Sequence, residues 1–184
     1  MGFSHGLPCA IAQPCPLSPV KVRWGFSPEG SARQLLLATL GQARHSIKMM
    51  AYSFRAPDIA NALVAARQRG VNVQVAMDYG AVRRDGRQRH MVCFLQRHGV
   101  KVRIDHSPGW EKQHDKLTLT DDNTVVTGSM NFTPSSEKHK SENIVAIQGN
   151  AALMNAMEAH FQNRWALSQP YGQLFPHQPC QGGD

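Results

Sequence analysis

The hydrophobic positions along this chain change period repeatedly, and each change marks a new element. Val22 to Phe26 is a short apolar run that predicts a strand. Ser27 and Pro28 follow as N-cap and first helical residue. Ala32, Leu35, Leu36, Thr39, Leu40 and Ala43 then recur at helical spacing. Ile47 to Phe54 is largely apolar, as in a central strand buried on both faces. Pro57 opens a second helix with Ile59, Leu63 and Ala66 inward, and Gly70 stops it. Val71, Val73, Val75 and Met77 alternate as a strand. A third helix spans about Arg87 to His98, closed by Gly99, and Val100, Val102 and Ile104 alternate after it. Strands at 114–120 and 123–129 flank Asp121-Asp122-Asn123, which reads as a hairpin turn. Asn143 to Ile147 is another strand, and a last helix over Ala151–Ala166 carries Leu153, Met157, Phe161 and Trp165 on one face. The pattern predicts an α/β domain, a mixed β-sheet flanked by helices on both faces.

The periodicity stops at both ends. Residues 1–20 hold Pro8, Pro14, Pro16 and Pro19 and read as disordered or as the remnant of an export signal. Ala10-Ile11-Ala12 resembles a signal-peptidase site, but the basic leader is missing and the apolar stretch is short. Residues 168–184, with Pro170, Pro176, Pro179, Gly182 and Gly183, read as a flexible tail, which leaves 21–167 as the folded catalytic domain. Hydrophobic residues make up 41% of the 184 and charged ones 18%, which suits a packed core and excludes a disordered chain. The formal charge of +7 favours polyanionic partners such as nucleic acid or an anionic lipid surface. Apolar runs fall short of the roughly 18 residues that span a bilayer, so no stable membrane association is expected. Cys9, Cys15, Cys93 and Cys180 lack the spacing of a zinc site. Cys93 lies in an apolar helical stretch and reads as a buried, inert thiol, while disulfides among the other three stay open.

The chemistry concentrates between His114 and Asn131. Alternation along a strand puts His114, Lys116, Thr118 and Thr120 on one polar face, with Leu117 and Leu119 anchored in the core behind it. Gly128 and Ser129 close the neighbouring strand with small residues that permit close approach of a ligand. Ser129 and Asn131 add a hydroxyl and an amide. Imidazole, ammonium, hydroxyl and amide together suit a phosphoryl group: a nucleophile, and donors for anionic oxygens. These are not the clustered carboxylates that hold magnesium, so neither metal nor cofactor is expected.

The spacing is HxK(x)4D(x)6GSxN, from His114 through Lys116, Asp121, Gly128 and Ser129 to Asn131. It resembles the signature of the phospholipase D, or HKD, superfamily. Together with Ser141-Glu142-Asn143 and the terminal Arg164-Trp165, residues 26 to 166 look like the small plasmid-encoded HKD endonucleases. The resemblance implies a phospholipase D-like domain in which His114 attacks phosphorus and forms a phosphohistidine. Lys116, Asn131 and Ser129 then hold the phosphoryl oxygens, and Glu142 orients the histidine. Asp121, of opposite strand parity to His114, reads as a structural residue capping the hairpin. The segment with Arg83, Arg84 and Arg87 is richer in arginine than the family pattern; it is either a phosphate-binding rim or a solvated loop. Trp110 either stacks on a base or covers a strand.

The reaction uses two imidazoles, one neutral to attack and one protonated to release the leaving oxygen. HxK occurs once here, so the expectation is a homodimer in which a two-fold axis brings two copies together. The expected function is metal-independent, non-specific cleavage of DNA or also RNA. A phospholipase D acting on lipid, and a non-catalytic nucleic-acid-binding module, are the competing readings. Family resemblance points to a periplasmic or secreted protein, with the compartment left open.

Overall fold

The computed structural model describes residues 19–107, 112–121 and 123–180. One eight-stranded sheet carries the fold. Its strands are β1 (Lys21–Ser27), β2 (Ser46–Ala51), β3 (Asn72–Asp78), β4 (Lys101–Asp105), β5 (Lys116–Thr120), β6 (Thr124–Gly128), β7 (Glu142–Gln148) and β8 (Ser168–Pro170). They lie in the order β1-β7-β6-β5-β2-β3-β4-β8. β2, β3 and β4 are parallel and every other pairing is antiparallel, so the sheet is mixed, as the periodicity predicts.

Helices α1 (Ser31–Gln42), α2 (Pro57–Gln68), α3 (Tyr79–Arg84) and α4 (Gly86–Arg97) connect the first four strands, and α5 (Pro134–His139), α6 (Ala151–Leu167) and α7 (Tyr171–Leu174) follow. On one face Leu36 and Leu40 of α1, Ile59 and Leu63 of α2 and Leu95 of α4 bury against Ile47, Met49, Val75 and Ile104. On the other, Met154 and Phe161 of α6 cover Met50, Ala76, Leu117, Leu119 and Val125. Met49 and Met50 thus sit in opposite layers, which is why β2 reads as an unbroken apolar run.

Several sequence expectations are corrected. α1 starts at Ser31, not at Pro28: the Ser27–Pro28 peptide is cis, and Gly30, at φ 96°, turns the chain into the helix. Ser31 Oγ accepts the Phe26 N–H at 2.8 Å and ties the turn to the strand end. The arginine-rich stretch is not a loop but α3 and the start of α4, each begun by an aspartate, with Asp78 accepting the Ala81 N–H and Asp85 the Arg87 N–H. Thr118 and Thr120 do not face a polar surface; the helices of the first layer cover them, and both are buried.

The described part of the C-terminal segment carries regular structure, β8 and α7, where the sequence pattern predicts a tail without elements. β8 pairs antiparallel with β4 and closes that edge, where unpaired backbone groups would otherwise stand open. Tyr171 and Phe175, one helical turn apart, stack on each other and enter the core. Cys180 is disulfide-bonded to Cys93, so Cys93 is not a free thiol. Proline and glycine dominate the pattern of this tail and mask the two anchoring aromatics. Cys9 and Cys15 lie outside the described residues.

Candidate active site

Strand direction gathers the polar residues of the motif at one edge of the sheet. β2 and β3 end there, and β5 and β7 begin there: Ala51 pairs with Lys116, and Gly128 with Ile144. In open α/β sheets this carboxyl edge of the parallel strands is the usual place for a ligand.

His114 lies just before β5 and is exposed. Lys116 Nζ stands 3.0 Å from its Nδ1 and 3.4 Å from its Nε2, and donates to the His114 carbonyl at 2.6 Å. Partial burial pulls the ammonium below its ordinary pKa, opposed by the charges of Asp115 and Glu142. An anion at this point would meet one imidazole and one ammonium held side by side. Tyr52, in the loop after β2, packs its ring on the imidazole at 4.3 Å, with Lys116 Nζ 5.5 Å from the ring centre.

Asn131 follows β6 and its Oδ1 is buried with no hydrogen-bond partner among the described residues, so the amide has bonding capacity in reserve. Ser129 Oγ accepts the Asn143 N–H at 3.1 Å, which leaves its own proton to donate. Gly128 serves the backbone, not a ligand: a Cβ there would lie 2.1 Å from the Asn143 carbonyl oxygen, so only glycine lets β6 approach β7 this closely. Glu142 is half-buried and makes no hydrogen bond to His114 among the described residues; it reaches the site through its charge on Lys116.

Asp121 is elsewhere. It sits at the opposite end of β5, roughly 20 Å along an extended chain from His114. Its carboxylate accepts the backbone N–H groups of Arg44, His45 and Ser46. It therefore caps the entry to β2, not the hairpin it belongs to. Burial pushes its carboxyl up, but those amides and His45 outweigh it and hold the group below the ordinary value.

The three arginines part company. Arg83 and Arg84 are exposed on α3, where the Arg84 charge acts on Asp78. Arg87 lies at the start of α4 and lines a separate pocket. Trp110 lies outside the described residues.

Three positioning groups escape a reading by motif. Gln88, buried in α4, donates to the Tyr52 carbonyl at 2.9 Å and accepts the Phe54 N–H at 3.1 Å, fixing the loop that carries Tyr52. Asp78 accepts both the Ala81 and the Gln113 N–H groups, pinning the residue before His114. Burial raises its carboxyl pKa. Asp115 pairs with His160 of α6 at 3.2 Å and turns away from Lys116's side of the strand. Of these, Asp78 alone leaves a trace in the sequence, as a helix-capping residue at a strand end.

Comparison with known proteins agrees with this geometry. Residues 36–165 match the family described as cardiolipin synthase, PLD-like domain. A phospholipase D of Rickettsia bellii is 34% identical over 132 residues, covering 72% of this chain but 63% of its own length. Human mitochondrial cardiolipin hydrolase is 30% identical over 140 residues, 76% of this chain and 53% of its own. The chain thus spans between half and two thirds of these two relatives. The crystal structure of Nuc from Salmonella typhimurium, a phospholipase D family member, superimposes with a TM-score of 0.79 at 40% identity, covering 83% of this chain and 99% of Nuc. The chain belongs to the phospholipase D superfamily and is a phosphodiesterase of that class.

Proposed function

We propose that this phosphodiesterase is an endonuclease that cleaves nucleic acid without a metal, in a site completed by a second copy of the chain. The observation that carries the reading is the pairing of a single exposed imidazole, His114, with Lys116 at 3.0 Å. His114 attacks phosphorus as the P–O bond to the leaving oxygen breaks, and the partner's His114 protonates that oxygen. Water then displaces the phosphohistidine and returns a proton to the partner's imidazole. Lys116, Asn131 and Ser129 hold the non-bridging oxygens, and the Glu142 charge opposes the loss of the Lys116 proton.

An uncovered apolar stripe supports the second copy. Val20, just before β1, and Val22, Trp24 and Phe26 within it recur at every second position and are exposed, Trp24 by 66%. They lie on the α6 side of the sheet, where α6 packs chiefly across β4, β5 and β6 while the β1 stripe stays exposed. Phe26 pairs with Asn143, which bonds Ser129, so a partner on this stripe arrives beside the site. Exposed apolar patches of this kind mark interfaces.

The charge of +7, with Arg83, Arg84 and Arg87 exposed near the edge, favours a polyanion. The names of the Rickettsia and human relatives favour phospholipid as a second reading. Supercoiled plasmid and cardiolipin vesicles, each incubated with the protein in excess EDTA, separate the two. Nicking of the plasmid with intact cardiolipin is the expected result. Activity that EDTA abolishes and a divalent ion restores overturns the metal-free mechanism, and hydrolysis of cardiolipin alone overturns the nuclease.

A further inference from the structure

A cavity of about 590 Å³ opens between the N-terminal parts of α2 and α4 and the short α5, lined by Arg55, Arg87, His90 and His139 with Pro57, Pro134 and Met91. Its position follows from topology. α2 follows the end of β2, and α4 follows the end of β3 after the short α3, so both helices begin toward the edge where His114 lies. The two loops that form the candidate active site also form this cavity. Arg55 is three residues beyond Tyr52, whose ring touches His114, and Pro134 is three beyond Asn131. Three residues of chain reach at most about 11 Å. The two loops are tied together, since the Arg55 and Ala56 N–H groups both donate to the Phe132 carbonyl, at 2.8 and 3.0 Å. Site and cavity are thus neighbouring compartments of one rigid edge.

The lining combines two chemistries. Two guanidinium groups and two imidazoles line it together with two prolines and a methionine. One acid answers them: Asp85 accepts from Arg55 at 3.0 Å with one oxygen and caps α4 with the other. Arg87 lies at 4.0 Å from Asp85 with its side chain 83% exposed, free to turn toward an anion. A phosphate alone would not use the proline and methionine surface, and an acyl chain would not use the charged groups. A nucleotide unit uses both, its phosphate on the guanidinium groups and its base or sugar on the apolar side chains.

We propose that this cavity is a second nucleotide subsite, holding the polynucleotide strand one to a few nucleotides from the phosphodiester being cleaved. The proposal rests on the nuclease reading above. It gives Arg87 a different role from that of Arg83 and Arg84, which stand on α3 away from the cavity. It also lies in the opposite layer from the bare β1 stripe, so a partner on that stripe leaves the cavity open.

The test uses the full-length His114→Asn protein, expected to hold substrate without turning it over, and two fluorescent probes: a dinucleotide and a longer single-stranded oligonucleotide. Arg87→Ala with His90→Ala should weaken binding of the longer probe about tenfold while the dinucleotide changes about twofold or less. The logarithmic salt slope for the longer probe should become shallower by about 0.7 for each phosphate that the cavity no longer neutralises. Arg87→Lys should restore most of that slope. The same pair of substitutions in the active protein should raise KM for the longer substrate more than it lowers kcat. Equal losses on both probes place these residues in the active site and overturn the subsite, as does unchanged binding of the longer probe. If vesicles of equal parts phosphatidylglycerol and phosphatidylcholine bind through Arg87 and His90 while oligonucleotide does not, the pocket is a lipid site and the proposal falls. Failure of the subsite alone leaves plasmid nicking intact; failure of the nuclease reading removes it in the wild type as well.

Discussion

The two faces of the sheet are finished to different degrees. The first layer, under α1, α2 and α4, covers its strands with Leu36, Leu40, Ile59, Leu63 and Leu95, all fully buried. Among the described residues, the buried residues of the second layer come from α6 and the central strands, and at β1 Trp24 and Phe26 stand in solvent. Both layers cover the central strands β2 and β5, so the two together hold Tyr52, His114 and Lys116 in register from either side. The covered parts account for the fold of a single chain, whereas the bare part is needed only if something else docks there.

The largest effect should come from the bare face. Trp24→Glu with Phe26→Glu adds charge to exposed positions and should leave the monomer folded, because neither side chain enters the core. If the proposed partner docks on this stripe, the double variant is monomeric by light scattering and loses at least about a hundredfold in phosphodiesterase activity, since half of the site departs. A monomer that keeps wild-type activity per chain would break the comparison outright.

Next come the covered faces, where truncation acts on stability. Leu36→Ala in the first layer should cost about 2–5 kcal/mol, and Phe161→Ala in the second about 3–5 kcal/mol. Urea unfolding of each, with the midpoint and slope compared to wild type, checks the values. Were the α6 layer dispensable to the single chain, the Phe161 change would fall below about 1 kcal/mol.

The smallest effect concerns a flaw within the covered region. Glu137 of α5 is 3% exposed and one of its oxygens has no partner among the described residues. Burial, then the charge of Asp58, pushes its carboxyl up to about 7, against the pull of Arg33 and Lys138. A carboxyl that holds its proton longer when folded stabilises the fold below its unfolded pKa, and that contribution is lost as pH rises through about 7. Glu137→Gln should therefore flatten the fall in stability between about pH 4.5 and 7, a change of up to about 3 kcal/mol seen in thermal melts at the two ends of that range. A pH dependence identical to wild type would show that Arg33 keeps the group ionised throughout.

Much of the fold is legible from the chain because periodicity reports burial. The stripe from Ala32 to Ala43 and the alternation from Val71 to Met77 each become the element they predict. The misses have local causes. Thr118 and Thr120 are polar by composition but small enough to be buried under helices, so alternation of polarity is not alternation of exposure. Tyr171 and Phe175 are hidden by the prolines around them, and Cys180 by its distance in sequence from Cys93. Gln88 and Tyr52 belong to no motif; only the fold brings an amide from one helix to the loop that carries the ring. Conversely, the spacing from His114 to Asn131 is a chemical pattern only in part, because the residues gather by strand pairing that the spacing does not state.

That division has a consequence for how such chains diverge. Within the motif, Gly128 answers to the closeness of two strands and Asp121 to three amides at the far end of the sheet. Neither needs a substrate. A descendant that loses its imidazole keeps every reason to retain both, and would inherit a stable scaffold with the cationic edge still in place. The glycine and the aspartate thus mark architecture, while His114 and Lys116 mark the proposed chemistry. A chain found with the first pair but not the second is better tested for capture of a phosphodiester than for its cleavage.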